Sequence, residues 1–421
     1  MRKVLARIID VRPLLLSLDS YYGWFVVAAC FLGGLLIYGL LYSFSVFFGH
    51  LVEAFGLSYA NTSLIFSLQS VTMYLGAAVF GFTIDRYDAR RLFGIGSLLI
   101  IAGLFGTSLF PTYLGLLIFY GLAVGFGFSI VMVISYVTPV LWFERRRGIA
   151  TGTATAGAGI GMMLMPPLSR WLISRIGWQR AYFALAIFVT GLLTVATAII
   201  ADRPEQIGAD TSSEFVSTTD SASRVSARQQ LDDLRSVAFS WPFAVFFLAF
   251  LGGYLTPLSM TVNLVEFTQS VGVDRGIGVL ALSAIGATNT IGKFVSGFLA
   301  DRLDTTLVLA ASTIAMGILT VPIALVHEPT VVLAGSLAFG LGFGGLGALM
   351  TPVMIEMFGS QNLNGLFGVA SISTAFAGAL GPYLANVTFD AFGTYIPAFL
   401  VMSLISILSM GLFVLARRLS D

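Results

Sequence analysis

The chain has 421 residues, of which 57% are hydrophobic and only 10% charged. Soluble domains carry about 25% charged residues, so this surface must be covered mostly by lipid, and the mean hydropathy of +0.92 agrees. A formal net charge of +1 argues against a nucleic-acid partner, and the single Cys30, inside an apolar run, excludes a disulfide framework and supplies no metal cluster.

The first twenty residues hold Arg2, Lys3, Arg7 and Arg12 around short apolar pieces. No small-residue cleavage site follows, so they read as a retained cytosolic arm rather than a signal peptide. Membrane spans need about 20 mostly apolar residues. Twelve such stretches follow, at 23–48, 61–84, 91–110, 114–142, 149–173, 181–200, 242–267, 277–300, 306–326, 330–356, 363–388 and 394–416. Residues 202–240 break the pattern with Ser, Thr, Asp and Arg, and read as a cytosolic linker with a short surface helix near Ala227–Ser236. The expected organisation is an arm at 1–20, a six-helix bundle at 21–201, the linker at 202–240, a second bundle at 241–417 and a tail at 418–421.

Basic residues orient the chain. With the N-terminus inside, the outer segments keep only Arg170, Arg175, Arg180 and Arg275, while the other arginines outside the spans gather on the inner side. Both termini are expected in the cytosol of a cell (inner or plasma) membrane. The halves also repeat. Gly81-Phe-Thr-Ile-Asp85-Arg86-Tyr-Asp88 recurs as Gly297-Phe-Leu-Ala-Asp301-Arg302-Leu-Asp304, and Thr138-Pro139-Val140 recurs as Thr351-Pro352-Val353. Two echoes at nearly one offset indicate a duplicated transporter architecture with its site at the midplane between the halves.

The eighth span holds Lys293, one of only two lysines in the chain. A cation at membrane depth costs several kcal/mol and is normally kept because it acts on something. At roughly 100° per residue, Gly286, Asn289, Thr290, Lys293, Ser296, Gly297 and Ala300 share one face, and Leu280, Ile291, Phe294, Val295, Phe298 and Leu299 take the rest. The lysine is therefore expected away from lipid. Snorkelling to the headgroups is the bland alternative. It must cover the eight residues to Asp301, roughly 12 Å of helix, and a lysine stem covers only part of that.

Gly81 to Arg91 resembles the loop signature of the major facilitator superfamily. The resemblance extends over all twelve spans, including Trp142-Phe143, Arg145-Arg146-Arg147-Gly148 and the small residues up to Pro166. It implies an all-α integral membrane protein of two pseudo-symmetric six-helix bundles, the major facilitator fold. It also implies a conformational lock at Asp85, Arg86 and Arg90, repeated more weakly at Asp301 and Arg302. Asp88 stands where the family has a glycine.

Tyr22-Gly23-Trp24, the Tyr42 to Phe48 stretch and Phe55-Gly56-Leu57-Ser58 resemble the monocarboxylate transporter family and its prokaryotic relatives, near the oxalate–formate exchangers. That resemblance implies a carboxylate-binding cation at Lys293, where the family has arginine. Asn289 stands in place of an aspartate of the animal members, Tyr42 in place of their span-1 lysine, and Ser371 in place of a second cation of the oxalate exchangers. One intramembrane cation balances one negative charge and favours a monoanion over a dianion.

Tyr38, Tyr42, Tyr120, Asn263 and Ser371 are the candidate hydroxyl and amide partners for the rest of a small acid, beside Lys293 and Asn289. Glu53, Glu266 and Asp390 fall near outer ends and Glu356 near the inner end of span 10; Glu266 and Lys293 itself are the candidate proton carriers. No P-loop, metal spacing or nucleophile–base set occurs, so neither an enzyme nor a cofactor is expected. The reading is a monomeric secondary transporter of small monocarboxylates such as lactate or pyruvate, working by alternating access, coupled to protons and not driven by ATP. Anion exchange of the oxalate–formate type and efflux of another small molecule stay open.

Overall fold

The computed structural model describes residues 22–81, 88–143, 147–201, 236–359 and 363–420. The N-terminal arm, Asp85 and Arg86, most of the linker with its expected surface helix, and Arg145 and Arg146 fall outside them. Among the described residues the structure is helical: α1 (Tyr22–Phe55), α2 (Tyr59–Gly81), α3 (Ala89–Leu109), α4 (113–142), α5 (147–176), α6 (178–199), α7 (Trp241–Ser270), α8 (Arg275–Ala300), α9 (Thr305–Leu325), α10 (Pro329–Phe358), α11 (Leu363–Phe392) and α12 (Ile396–Ser420). The fifth and sixth run on as one 53-residue stretch, broken at Gly177 with φ 78° and ψ 163°. Such a stretch would measure about 80 Å against a hydrocarbon core of about 30 Å, so it makes two spans. The twelve helices match the expected spans to within a few residues, except that several run on past the expected apolar limits.

Short polar residues start the helices. Asp88, Thr112, Ser240, Asp274 and Asp304 each accept a backbone N–H from the first turn of the helix that follows. These acceptors satisfy amides that have no partner inside the helix. Asp88 thus replaces the family glycine with a helix cap, and Asp304 repeats it in the second half. Inside α4, residues Leu117–Val124 form a wider i→i+5 turn, a local departure of the kind found at functional or closely packed sites.

With an even number of spans, residues 22 and 420 lie on one face of the bundle, called here the terminal face; the opposite one is the far face. Each half packs as six helices, and three seams join them: α2 with α11, α5 with α8, and α1 with α7. Lipid tails are as apolar as the helices, so packing relies on small residues that let backbones approach. A Cβ on Gly159 would sit 2.7 Å from the Gly286 carbonyl oxygen, and one on Gly286 would sit 2.6 Å from Met163 N. On the other seam, Ser67 donates to the Ala379 carbonyl at 2.8 Å, and a Cβ on Gly368 would touch Ala78 Cα at 3.4 Å. Both seam pairs run antiparallel along their full length.

Glycine also sets spacing within a half. A Cβ on Gly161 of α5 would lie 2.9 Å from Leu35 Cα of α1. Gly161→Val is expected to lower stability in detergent by about 1–3 kcal/mol through overpacking. Gly191→Ala, with nothing within 4 Å of the added carbon, should raise it by up to about 1 kcal/mol through helix propensity. Thermal unfolding of the two purified variants checks both signs.

Candidate functional site

α8 turns the face expected from its sequence towards protein. Of that face Gly286, Asn289 and Ser296 are buried and Thr290, Gly297 and Ala300 partly so, whereas Leu280, Ile291, Phe294, Val295, Phe298 and Leu299 are exposed on the outside of the bundle. Lys293 is half-buried. Its Nζ donates to the Thr155 carbonyl of α5 at 3.3 Å, so the ammonium reaches across the seam between the halves. No carboxylate lies within ion-pair distance of it among the described residues. A desolvated cation with one neutral acceptor still has capacity for an anion.

Asn289, one turn away, is buried, and its amide makes no hydrogen bond among the described residues. α10 supports this turn closely: a Cβ on Gly344 would lie 2.8 Å from Lys293 N. One turn further along α10, the site of a Cβ on Gly347 is 3.9 Å from the Tyr254 hydroxyl. Tyr254 of α7 therefore stands at the level of Lys293. Its ring meets Phe343 edge-on at 6.5 Å.

From the first half, Tyr38 and Tyr42 stack at 6.2 Å. Tyr38 accepts from Tyr136 at 3.0 Å and donates to Met132 Sδ at 3.6 Å. Tyr74 of α2 faces the same hydroxyl, and Tyr42, Tyr74, Tyr136 and Tyr254 lie within electrostatic range of one another. The structure thus gathers five phenols from four helices of both halves. Tyr38 and Tyr42 were expected; Tyr74, Tyr136 and Tyr254 were missed. Their one visible signal is depth, since Tyr254 sits in the middle of its span and not in an interfacial belt.

Three expected partners are otherwise engaged. Tyr120 is fully buried, donates to the Leu40 carbonyl at 3.0 Å and packs between Phe44 and Tyr182. Asn263 donates to the Ser259 carbonyl at 3.0 Å and accepts from Asn386 at 2.8 Å, and Asn386 accepts from Tyr395 at 2.9 Å. This chain of side chains ties α7 to α11 and to the start of α12. Ser371 turns back to the Phe367 carbonyl of its own helix at 2.8 Å.

The charged candidates sort by face. Glu266 is buried near the far face and pairs with Arg275 at 2.6 Å. On the terminal face, Arg90 opens α3, Arg302 lies over the Phe298 ring at 3.7 Å, and Asp301 makes no ion pair among the described residues. The second-half clasp is built instead by Arg417 of α12, which reaches Asp304 and Glu356 at 3.1 Å each and Thr306 at 3.1 Å. Thr305 donates to Glu356. The sequence repeat lacks trailing arginines after Asp301, and the cation arrives from the end of the chain.

Asn386→Ala should cost about 1–3 kcal/mol, because it leaves the Asn263 side-chain oxygen without its donor and the Tyr395 hydroxyl without its acceptor in a buried position. Tyr395→Phe, which removes only the terminal donor, should cost less. Thermal unfolding of both variants in detergent orders them.

The profile of the Major Facilitator Superfamily matches residues 30–287 and 259–421. The chain is 27% identical over 385 residues to monocarboxylate transporter 3 of Rattus norvegicus, covering 90% of this chain and 76% of that one. It is 26% identical over 389 residues to monocarboxylate transporter 13 of Bos taurus, covering 91% and 86%, and 29% identical over 408 residues to monocarboxylate transporter 11 of Mus musculus, covering 91% and 85%. Its fold is similar to the crystal structure of a bacterial homolog to the human lysosomal transporter Spinster, described as inward-facing and unoccupied. The TM-score is 0.65 at 14% identity, over 95% of this chain and 96% of that one. The twelve-span bundle, its doubled signature and the profile match together make this multi-pass membrane protein a transporter belonging to the Major Facilitator Superfamily.

Proposed function

We propose that the protein carries small monocarboxylates across a cell membrane by alternating access, with the terminal face cytosolic and a proton moving with the anion. The observation that carries this reading is Lys293: a cation on the seam between the halves, held by one neutral carbonyl at 3.3 Å and facing no acid among the described residues. In a low-dielectric cavity its attraction for a carboxylate is several times that in water. Asn289 and the phenols of Tyr38, Tyr42 and Tyr254 would take the remainder of a small acid. The names of the relatives, monocarboxylate transporters 3, 11 and 13, support the same substrate class.

Anion binding would replace the Thr155 carbonyl as the partner of the ammonium. Because Thr155 and Lys293 belong to different halves, that exchange would loosen one seam contact and tie cargo to conformation. Asp85, Arg86 and Arg90 would hold the cytosolic side in the alternate state, with Asp301 and Arg302 in lesser roles.

Exchange of one carboxylate for another is the second reading. It is favoured by the absence of a carboxylate beside Lys293 among the described residues and by the engagement of Glu266 with Arg275. Protein reconstituted in liposomes should accumulate labelled lactate or pyruvate along an imposed pH gradient without trapped acid. Uptake only against trapped acid would replace symport by exchange. Lys293→Ala should cut uptake roughly tenfold to a hundredfold, the range of one hydrogen bond to a charged group. Lys293→Arg should retain part of it with a shifted KM. Uptake unaffected by both changes would defeat the carboxylate role.

A further inference from the structure

The far face is joined by three carboxylates of the second half, one against each first-half helix that meets it. Asp390 at the end of α11 accepts from Tyr59 N at 3.0 Å and Ala60 N at 2.8 Å, at the start of α2. Glu266 of α7, paired with Arg275, lies against Gly49 of α1, where a Cβ would come within 2.5 Å of its Oε1. Asp274, before α8, approaches Arg170 of α5 at 3.9 Å.

The Asp390 contact differs in kind from the others. The helix starts at Asp88, Thr112, Ser240, Asp274 and Asp304 are capped by the residue immediately before the helix. α2 carries the same kind of local cap, with Ser58 accepting from Asn61 N at 3.1 Å, and Asp390 is an acceptor in addition to it. The first two amides of α2 are served by a residue 331 and 330 positions away, in the other half. A carboxylate at a helix N-terminus gains from both hydrogen bonds and the helix dipole. Opening the far face must separate α2 from α11 at this end, and both amides then return to water. Around this contact the Tyr59 and Phe389 rings pack at 4.5 Å.

We propose that Asp390 is the latch of the far gate: a positioning residue whose carboxylate, seated on the N-terminus of α2, holds the transporter closed on the far face without touching cargo. The proposal rests on the alternating-access reading but not on the identity of the substrate. It predicts that weakening either side of the contact shifts the population towards far-face separation.

The test is a distance measurement between spin labels at Gln179→Cys and Thr330→Cys, in a Cys30→Ala background reconstituted in nanodiscs. These two exposed positions lie at the far ends of α6 and α10, in opposite halves. Asp390→Ala should raise the ratio of separated to closed populations by about fivefold, the expected scale of a partly exposed charge-assisted contact. Ala60→Pro deletes one donor and leaves Asp390 in place, at a first-turn position that tolerates proline; it should move the ratio the same way. Unchanged distributions in both variants would overturn the proposal. So would a shift in Asp390→Ala alone, because the carboxylate would then act on something other than α2. A parent protein that holds a single distance with and without lactate would instead count against alternating access itself.

Discussion

Close backbone approach between helices is the constraint on which the rest of this structure depends. In lipid there is no hydrophobic drive for one apolar helix to leave its solvent for another, so contact must come from packing and from hydrogen bonds made at short range. Glycine supplies the range. Gly159 and Gly286 bring α5 and α8 together just beyond the turn where Thr155 meets Lys293, and Gly344 brings α10 onto the same turn from the other side. With side chains at these glycines the seam would stand off, and the lysine would lose its carbonyl partner. The position of the cation is thus a consequence of three residues that have no side chain.

The ionised groups are distributed by depth in a way that follows the cost of burying charge. At the terminal face, Arg417, Asp304 and Glu356 form a clasp that remains partly exposed, where an ion pair loses little hydration. At the far face the Glu266–Arg275 pair is more buried and has the ideal short contact that such burial demands. Between these layers Lys293 has, among the described residues, only a neutral acceptor. A transporter with a fully paired cation would need cargo to displace an acid first; here it would displace one hydrogen bond.

Duplication explains why two aspartates, Asp88 and Asp304, do the same work in both halves while the charges around them differ. Each starts the third helix of its half by accepting an amide from the first turn. That role is local and survives divergence. The charged partners are not local: Asp304 takes Arg417 from the last helix, which has no counterpart in the sequence around the repeat. The cluster of phenols is also assembled from unlike parts, with four from the first half meeting one from the second.

The sequence by itself determined the twelve spans, the doubling and the inward face of α8. Each of these is written in local apolar length or in helical periodicity, and lipid enforces both because every backbone amide must be satisfied within the span. It also marked Lys293, because a charge inside an apolar run stands out whatever surrounds it. Only the tertiary structure decided which polar side chains were already engaged. Tyr120, Asn263 and Ser371 looked as available as Tyr38, yet each is tied to a backbone carbonyl of its own half, whereas Tyr38 meets side chains. Tyr74, Tyr136 and Tyr254 joined the cluster of phenols, Arg417 supplied the missing cation, and Asp390 found the start of α2. Such partners lie up to hundreds of residues apart, and a single helix's pattern shows that a polar group faces inward but not which neighbour it meets there.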